Sequence, residues 1–146
     1  MPDSPLTSQQ RETVADRAQG CCEYCFSQAR FSPDPFSIER IIPHSRGGSK
    51  ELGNLALACQ GCNSRKYTHI EALDPVTGET APLFHSRQHR WAEHFTWNED
   101  FSLLLGLTPT GRATIDRLEL NRTGVVKLRR VLYRAGEHPP VAGFIE

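Results

Sequence analysis

The sequence predicts an α+β fold: a small strand-and-turn unit followed by a mainly helical second half. Three observations carry this. Two C-x2-C pairs, Cys22/Cys25 and Cys59/Cys62, lie far apart in the chain, so the segment between them must fold back. Residues Phe36 to Ile42 are rich in β-branched and aromatic types and stop at Pro43, which marks a short strand. Late in the chain, Val125, Leu128, Val131 and Leu132 recur near one helical face.

A length of 146 residues suggests one domain with an appended subdomain. The chain is 38% hydrophobic and 23% charged, ordinary values for a soluble globular protein. No apolar run approaches the length of a membrane span, so no membrane partner is expected. The stretch Met1-Pro-Asp-Ser-Pro-Leu-Thr7 has no basic region followed by an apolar one, so no signal peptide is read and a cytoplasmic location is expected. Net charge is zero, which argues against a chain that coats nucleic acid without specificity but leaves room for local basic patches.

In chain order, Thr7 and Gln10 form a capping box for a helix running to about Ala18, with Leu6 as staple and Gly20 as stop. Val14 and Ala18 share its inner face. A tight knuckle, Cys21-Cys22-Glu23-Tyr24-Cys25, follows at once. Phe31 to Phe36 is a loop broken by prolines. After the first strand, Arg46-Gly47-Gly48-Ser49 is a turn. Leu52 to Ala58 is a second strand or extended loop. A helix begins near Gln60 and ends before Asp74-Pro75. The turn Asp74 to Thr80 is a plausible boundary, giving units 1–77 and 78–146. Beyond it come an aromatic segment, Leu83 to Trp97, an apolar strand within Phe101 to Leu107, and helices from Thr108 to about Leu120 and from Gly124 to Arg134. The Pro139-Pro140 tail is expected to be loosely held.

The chain has five cysteines. In a cytoplasmic setting, two C-x2-C pairs favour metal over disulfides. Four thiolates suit tetrahedral Zn²⁺, so Cys22, Cys25, Cys59 and Cys62 are read as a structural zinc site that supplies much of the folding free energy. Cys21 is left over as a small packing residue. Two redox or disulfide pairs are the alternative, and they would need a different context.

Between the pairs the chain reads Ser37-Ile-Glu-Arg-Ile-Ile-Pro-His-Ser-Arg-Gly-Gly48, and then Asn54-Leu-Ala-Leu-Ala-Cys-Gln-Gly-Cys-Asn-Ser-Arg-Lys66. With Cys22-Glu-Tyr-Cys25, this resembles the HNH endonuclease family, in which a ββα-metal unit is stapled by a four-cysteine zinc site. The resemblance covers roughly the first half of the chain. It implies metal-dependent hydrolysis of phosphodiester bonds in DNA, with RNA not excluded. The family's acidic metal ligand falls at Glu39. Its loop-ordering asparagine falls at Asn54, and its helix-borne ligand at Asn63. Glu39 and Asn63 are hard oxygen donors, which suits a catalytic Mg²⁺ or Mn²⁺. The segment from Pro82-Leu-Phe-His85 to Trp91-Ala-Glu-His-Phe-Thr-Trp97 resembles the extension of one small bacterial subgroup of that family.

One position departs from the pattern. The family's general-base His is replaced here by Arg40, and a guanidinium cannot take a proton near neutral pH. Losing a general base typically costs about 10²- to 10⁴-fold in rate. Three readings follow: a nuclease disabled at its base, a base moved to His44, or an Arg40 that clamps the phosphate while the metal alone activates water. Arg46, Lys50, Arg65 and Lys66 surround this cradle and are expected to contact phosphates. Arg122, Lys127, Arg129, Arg130 and Arg134 form either a second contact or a solvated helix face. His85, His89 and His94 are read as packing or phosphate contacts before metal ligands, and Trp91, Phe95 and Trp97 as core. Two non-enzymatic alternatives remain: a zinc-bearing nucleic-acid-binding module, and a zinc-stabilised interaction domain.

Overall fold

The computed structural model describes residues 5–140. Residues 1–4, part of the stretch read as lacking a leader, lie outside it. The first helix, α1 (Ser8–Arg17), starts at the predicted capping box: Gln10 N–H donates to the Thr7 hydroxyl at 3.1 Å, and Thr7 N–H donates to the Gln10 side chain at 2.8 Å. Val14 and Ala18 then pack with Leu55 and Leu57, closing one small apolar cluster.

The predicted first strand is β1 (Ser37–Arg40), shorter than expected because the chain turns at Ile41. It pairs antiparallel with β2 (Leu55–Ala58), with Glu39 opposite Ala56 and Arg40 opposite Leu55. The helix α2 (Gln60–Lys66) follows β2 directly and packs on β1. These three elements are the ββα unit expected from the sequence.

The sequence predicts α2 running almost to Asp74. Instead the helix stops at Lys66, because Lys66 to His69 forms a tight turn closed by His69 N–H donating to the Lys66 carbonyl at 3.0 Å. The residues beyond form β3 (Glu71–Leu73), which pairs with β4 (Thr80–Pro82). The Asp74–Glu79 turn between them is held by Asp74, which is fully buried and takes two hydrogen bonds from Arg112 at 2.8 and 3.0 Å.

Next come a single turn, α3 (Trp91–His94), and a third antiparallel pair, β5 (Phe95–Trp97) with β6 (Leu104–Gly106). Two longer helices follow, α4 (Pro109–Leu118) and α5 (Thr123–Arg134). Thr108 caps α4 through the Gly111 N–H, and Pro109 sits at its start, where the missing N–H costs nothing. The described residues thus form a mixed α/β structure with five helices and three two-stranded antiparallel sheets. None of the helices is long and apolar enough to cross a membrane.

One apolar cluster joins both halves. It contains all four paired cysteines with Tyr24, Leu83, Trp91, Phe95, Leu104, Leu118, Leu120 and Val125. Trp91 and Phe95 are therefore core residues, as the sequence suggests. The basic run of α5 is not one outer face, however. Arg129 is 3% exposed. It donates to the carbonyls of Cys25, Ser102 and Leu120 and to the Asn121 side chain at 2.8–3.1 Å, and stacks its charge on Trp97. The segment after α5 is also docked: His138 is buried, its Nε2 lies 2.8 Å from the Phe101 carbonyl, and its ring packs edge-on against Trp97.

Arg129 ties the knuckle to the helical half, and truncating it leaves several buried acceptors without donors. We expect Arg129→Met to lower unfolding stability by about 3 kcal/mol or more, read from urea denaturation, whereas the exposed neighbour Arg130→Met changes it by less than about 0.5 kcal/mol.

Candidate functional site

The knuckle is fixed first. Glu23 N–H donates to the Leu57 carbonyl at 2.9 Å, and the Glu23 carboxylate accepts from Leu57 N–H at 2.8 Å. Glu23 also pairs closely with Arg87 from the second half. This lays Cys22 and Cys25 against the end of β2, where Cys59 caps α2 by accepting from Cys62 N–H at 3.4 Å.

The four predicted thiols converge. Their Sγ atoms all lie within 4.8 Å of one another, with Cys25 and Cys59 at 3.7 Å. Tetrahedral zinc with Zn–S bonds of about 2.3 Å would set S···S near about 3.8 Å, so the cage fits the ion. Cys25 is pulled toward the thiolate by hydrogen bonds from Cys22, Cys59 and Cys62, and Cys59 falls to about 7 through Cys22 and Cys62, while Cys22 and Cys62 shift the opposite way. Cys21 stays outside the group, buried and free, as expected of a packing residue.

Nothing in the sequence points to the cage's fifth neighbour. Arg122 donates to Cys62 from both terminal nitrogens and to Cys59 from one, each at 3.6 Å. Burial works against its charge, but Cys62 and its fellow cage cysteines raise its pKa overall. Gly61 makes room for it: a Cβ there would stand 2.6 Å from the guanidinium. Arg122, read from the sequence as part of a second contact or a solvated helix face, instead lies against the cage sulfurs.

The residues read as a cradle gather at the other end of α2, where Lys66 lies one turn beyond Cys62 on the same face. Asn54 is buried and makes three hydrogen bonds to the loop that follows β1. It accepts from Ile42 N–H at 2.8 Å, and donates to the carbonyls of Ile42 at 2.9 Å and Ser49 at 2.8 Å. The same loop crosses itself at Gly48, where any Cβ would stand 1.6 Å from the Ile42 carbonyl oxygen. All three Asn54 bonds reach backbone, and none a side chain of the cradle.

Glu39 is 7% exposed. The Tyr24 hydroxyl donates to one carboxylate oxygen, and the other lies 3.9 Å from Lys66 Nζ. Burial lifts the Glu39 pKa to about 7, against the pull of Lys66 and Tyr24. Lys66 itself is 1% exposed and donates to the Ile41 carbonyl at 2.6 Å. It therefore cannot be the surface phosphate contact read from the sequence: its position on α2 turns the ammonium into the unit. Asn63 lies three residues earlier, on the same side of α2, half-buried. Both Glu39 oxygens thus already have a neighbour, Tyr24 on one and Lys66 near the other.

Arg40 points to the outer loop. Its guanidinium lies 3.0 Å from His44 Nδ1 and donates to the Gly48 carbonyl at 3.3 Å. Because arginine only donates, His44 Nδ1 accepts, and a neutral His44 then carries its proton on Nε2. That leaves no free lone pair for abstracting a proton. Of the remaining basic candidates, Arg46 is exposed and donates to the Thr68 carbonyl at 3.0 Å. Lys50 is half-buried beside α1, its carbonyl accepting from Gln10. Arg65 pairs with Glu119 at 3.3 Å and donates to the Gly61 carbonyl.

His85, His89 and His94 lie near one another around Phe84 but form no metal-binding group with any described carboxylate or thiol. His85 N–H donates to His89 Nδ1 at 2.9 Å, and Arg87 N–H to His85 Nδ1 at 3.2 Å, so both rings brace the loop before α3.

The cage supports a direct test. Arg122→Ala should speed transfer of zinc to a chromogenic chelator and lower stability by about 1–3 kcal/mol. Full zinc removal should erase the near-ultraviolet circular dichroism of Trp91 and Trp97, since Trp91 shares the cysteines' cluster and Trp97 packs on it.

Residues 22–69, about a third of the chain, match the family model described as HNH endonuclease. No curated protein and no solved structure matched the chain.

Proposed function

Starting from the HNH endonuclease match over residues 22–69, we propose a metal-dependent endonuclease scaffold that acts on DNA, with hydrolysis impaired by Arg40. An HNH segment points to nuclease or nucleic-acid-related chemistry in general, and the reading here is narrower. The observation that carries it is the Asn54 clasp, which holds the loop from Ile42 to Ser49 against the end of β1. That clasp orders the loop carrying His44 and Gly48, both of which Arg40 reaches, next to the strand that carries Glu39.

The roles then divide. Glu39 and Asn63 would hold a divalent ion, Mg²⁺ or Mn²⁺, and such an ion when bound stabilises charge on the phosphate and the departing 3′ oxygen. Arg40 supplies a permanent positive charge for a phosphate oxygen but accepts no proton. His44 is engaged by Arg40 and holds its proton on Nε2 when neutral. Water is left without a side-chain base, which is the physical reason for slow hydrolysis. Arg46 and Lys50 extend the positive edge for the backbone of the nucleic acid. The second reading is a nucleic-acid-binding module without catalysis. It is favoured by the buried Lys66 ammonium, 3.9 Å from Glu39, which already balances the carboxylate a cation would need.

Plasmid cleavage in Mg²⁺ or Mn²⁺ separates them. We expect the unmodified protein to cut slowly and Arg40→His to cut about 10²- to 10⁴-fold faster, with Asn63→Ala abolishing the gain. If unmodified protein cuts and His44→Ala stops it, the base is His44. If Arg40→His still binds DNA without cutting, the binding-module reading stands.

A further inference from the structure

Past the end of α2, the turn from Lys66 to His69 holds a residue of the wrong type. Tyr67 occupies its first central position at φ 49°, ψ −125°. This is the mirror of an ordinary type II turn, a conformation that glycine adopts freely and a bulky side chain does not. The ring is not repaid by burial, since Tyr67 is 72% exposed. A strained backbone that presents an aromatic ring to solvent is an outlier of the kind found at binding sites.

The charged groups beside its ring neighbour His69 are positive. His69 meets the Tyr67 ring edge-on, with centroids 6.3 Å apart. Arg117, from the exposed face of α4, donates to His69 Nε2. Arg46 donates to the carbonyl of Thr68, the residue between the two rings, at 3.0 Å. The charges that act on the His69 ring are Arg117, Arg46 and Lys66, all cationic. Arg46 belongs to the loop clasped by Asn54, so this patch continues the edge that carries Arg40 and His44.

We propose that Tyr67 is a stacking platform for one unpaired nucleotide of the bound DNA, with Arg46 and Arg117 holding the phosphates on either side. The inference rests on the nucleic-acid reading above and adds to it a preference for DNA that is single-stranded or opened next to the cut. Duplex DNA offers its base faces only to neighbouring bases, so an exposed ring among cations fits an unpaired strand better. Every base has a π-face, so the platform carries no sequence preference of its own.

The test is fluorescence anisotropy of a labelled single-stranded oligothymidine and of a duplex of equal length, with zinc-loaded protein and no added magnesium or manganese. Tyr67→Ala should weaken single-strand binding about tenfold or more, as loss of one base–aromatic stack does, and leave duplex binding within about twofold. Tyr67→Trp should retain single-strand binding. Arg46→Ala and Arg117→Ala should weaken both ligands and each lower the salt slope by about one. Tyr67→Gly, which relieves the backbone, should fold at least as well as the unmodified protein and still lose the single-strand preference. Equal single-strand binding by Tyr67→Ala and unmodified protein overturns the stacking role alone. Failure of the unmodified protein to bind either ligand overturns the nucleic-acid reading with it.

Discussion

Four cysteine thiols in an apolar cluster are the constraint on which the rest of this structure depends. Cys22 and Cys25 come from a knuckle before β1, and Cys59 and Cys62 from the start of α2. A shared cation accounts for four sulfurs this close at the centre of a core, since as thiolates they would otherwise repel and burial would penalise their charge. A metal there would stand in for the extensive core that a chain of this length cannot build from its first half alone. Arg122 completes the balance from the other half of the chain, and Arg129 ties the knuckle's Cys25 carbonyl to the Ser102 and Leu120 carbonyls of that half. The two halves are therefore joined through the cage itself.

The cradle follows from the cage by geometry. With Cys59 and Cys62 fixed, α2 has one direction to run, across β1. That brings Lys66 to the Ile41 carbonyl and within 3.9 Å of Glu39. The knuckle brings Tyr24 to the other oxygen of the same carboxylate. Glu39 is thus buried between a hydroxyl and an ammonium, and its pKa rises to about 7 because burial outweighs both partners. A carboxylate so placed can be neutral or charged near neutral pH, and its charged form answers to Lys66 and to any added cation alike. Arg40, one residue on and on the other face of the strand, is left to the loop that Asn54 orders.

Much of this is legible in the chain. The capping box at Thr7, the strand ending before Pro43, the helix start at Thr108 and the C-x2-C pairs each rest on local chemistry, which acts over a few residues and reads the same in any fold. The converging cysteines are legible because metal spacing is a local rule repeated twice. Other residues mislead for one shared reason. Lys66, Arg122 and Arg129 are cations, and a cation in a sequence looks like surface. Each is buried or half-buried because a specific acceptor, a carbonyl or a sulfur, awaits it at long range. The stop of α2 at Lys66 is hidden because Tyr67 holds a turn position that the sequence rules reserve for glycine.

By itself, then, the sequence determined which cysteines could bind a metal, where helices begin, and that Arg40 cannot take a proton near neutral pH. Only the tertiary structure decided which charges face inward, that Arg122 belongs to the cage, that His44 is engaged by Arg40, and that Tyr67 stands out among cations. The division has a physical cause. Ligand type, capping and protonation chemistry are properties of a residue and its near neighbours, whereas burial and pairing are set by elements that meet from distant parts of the chain.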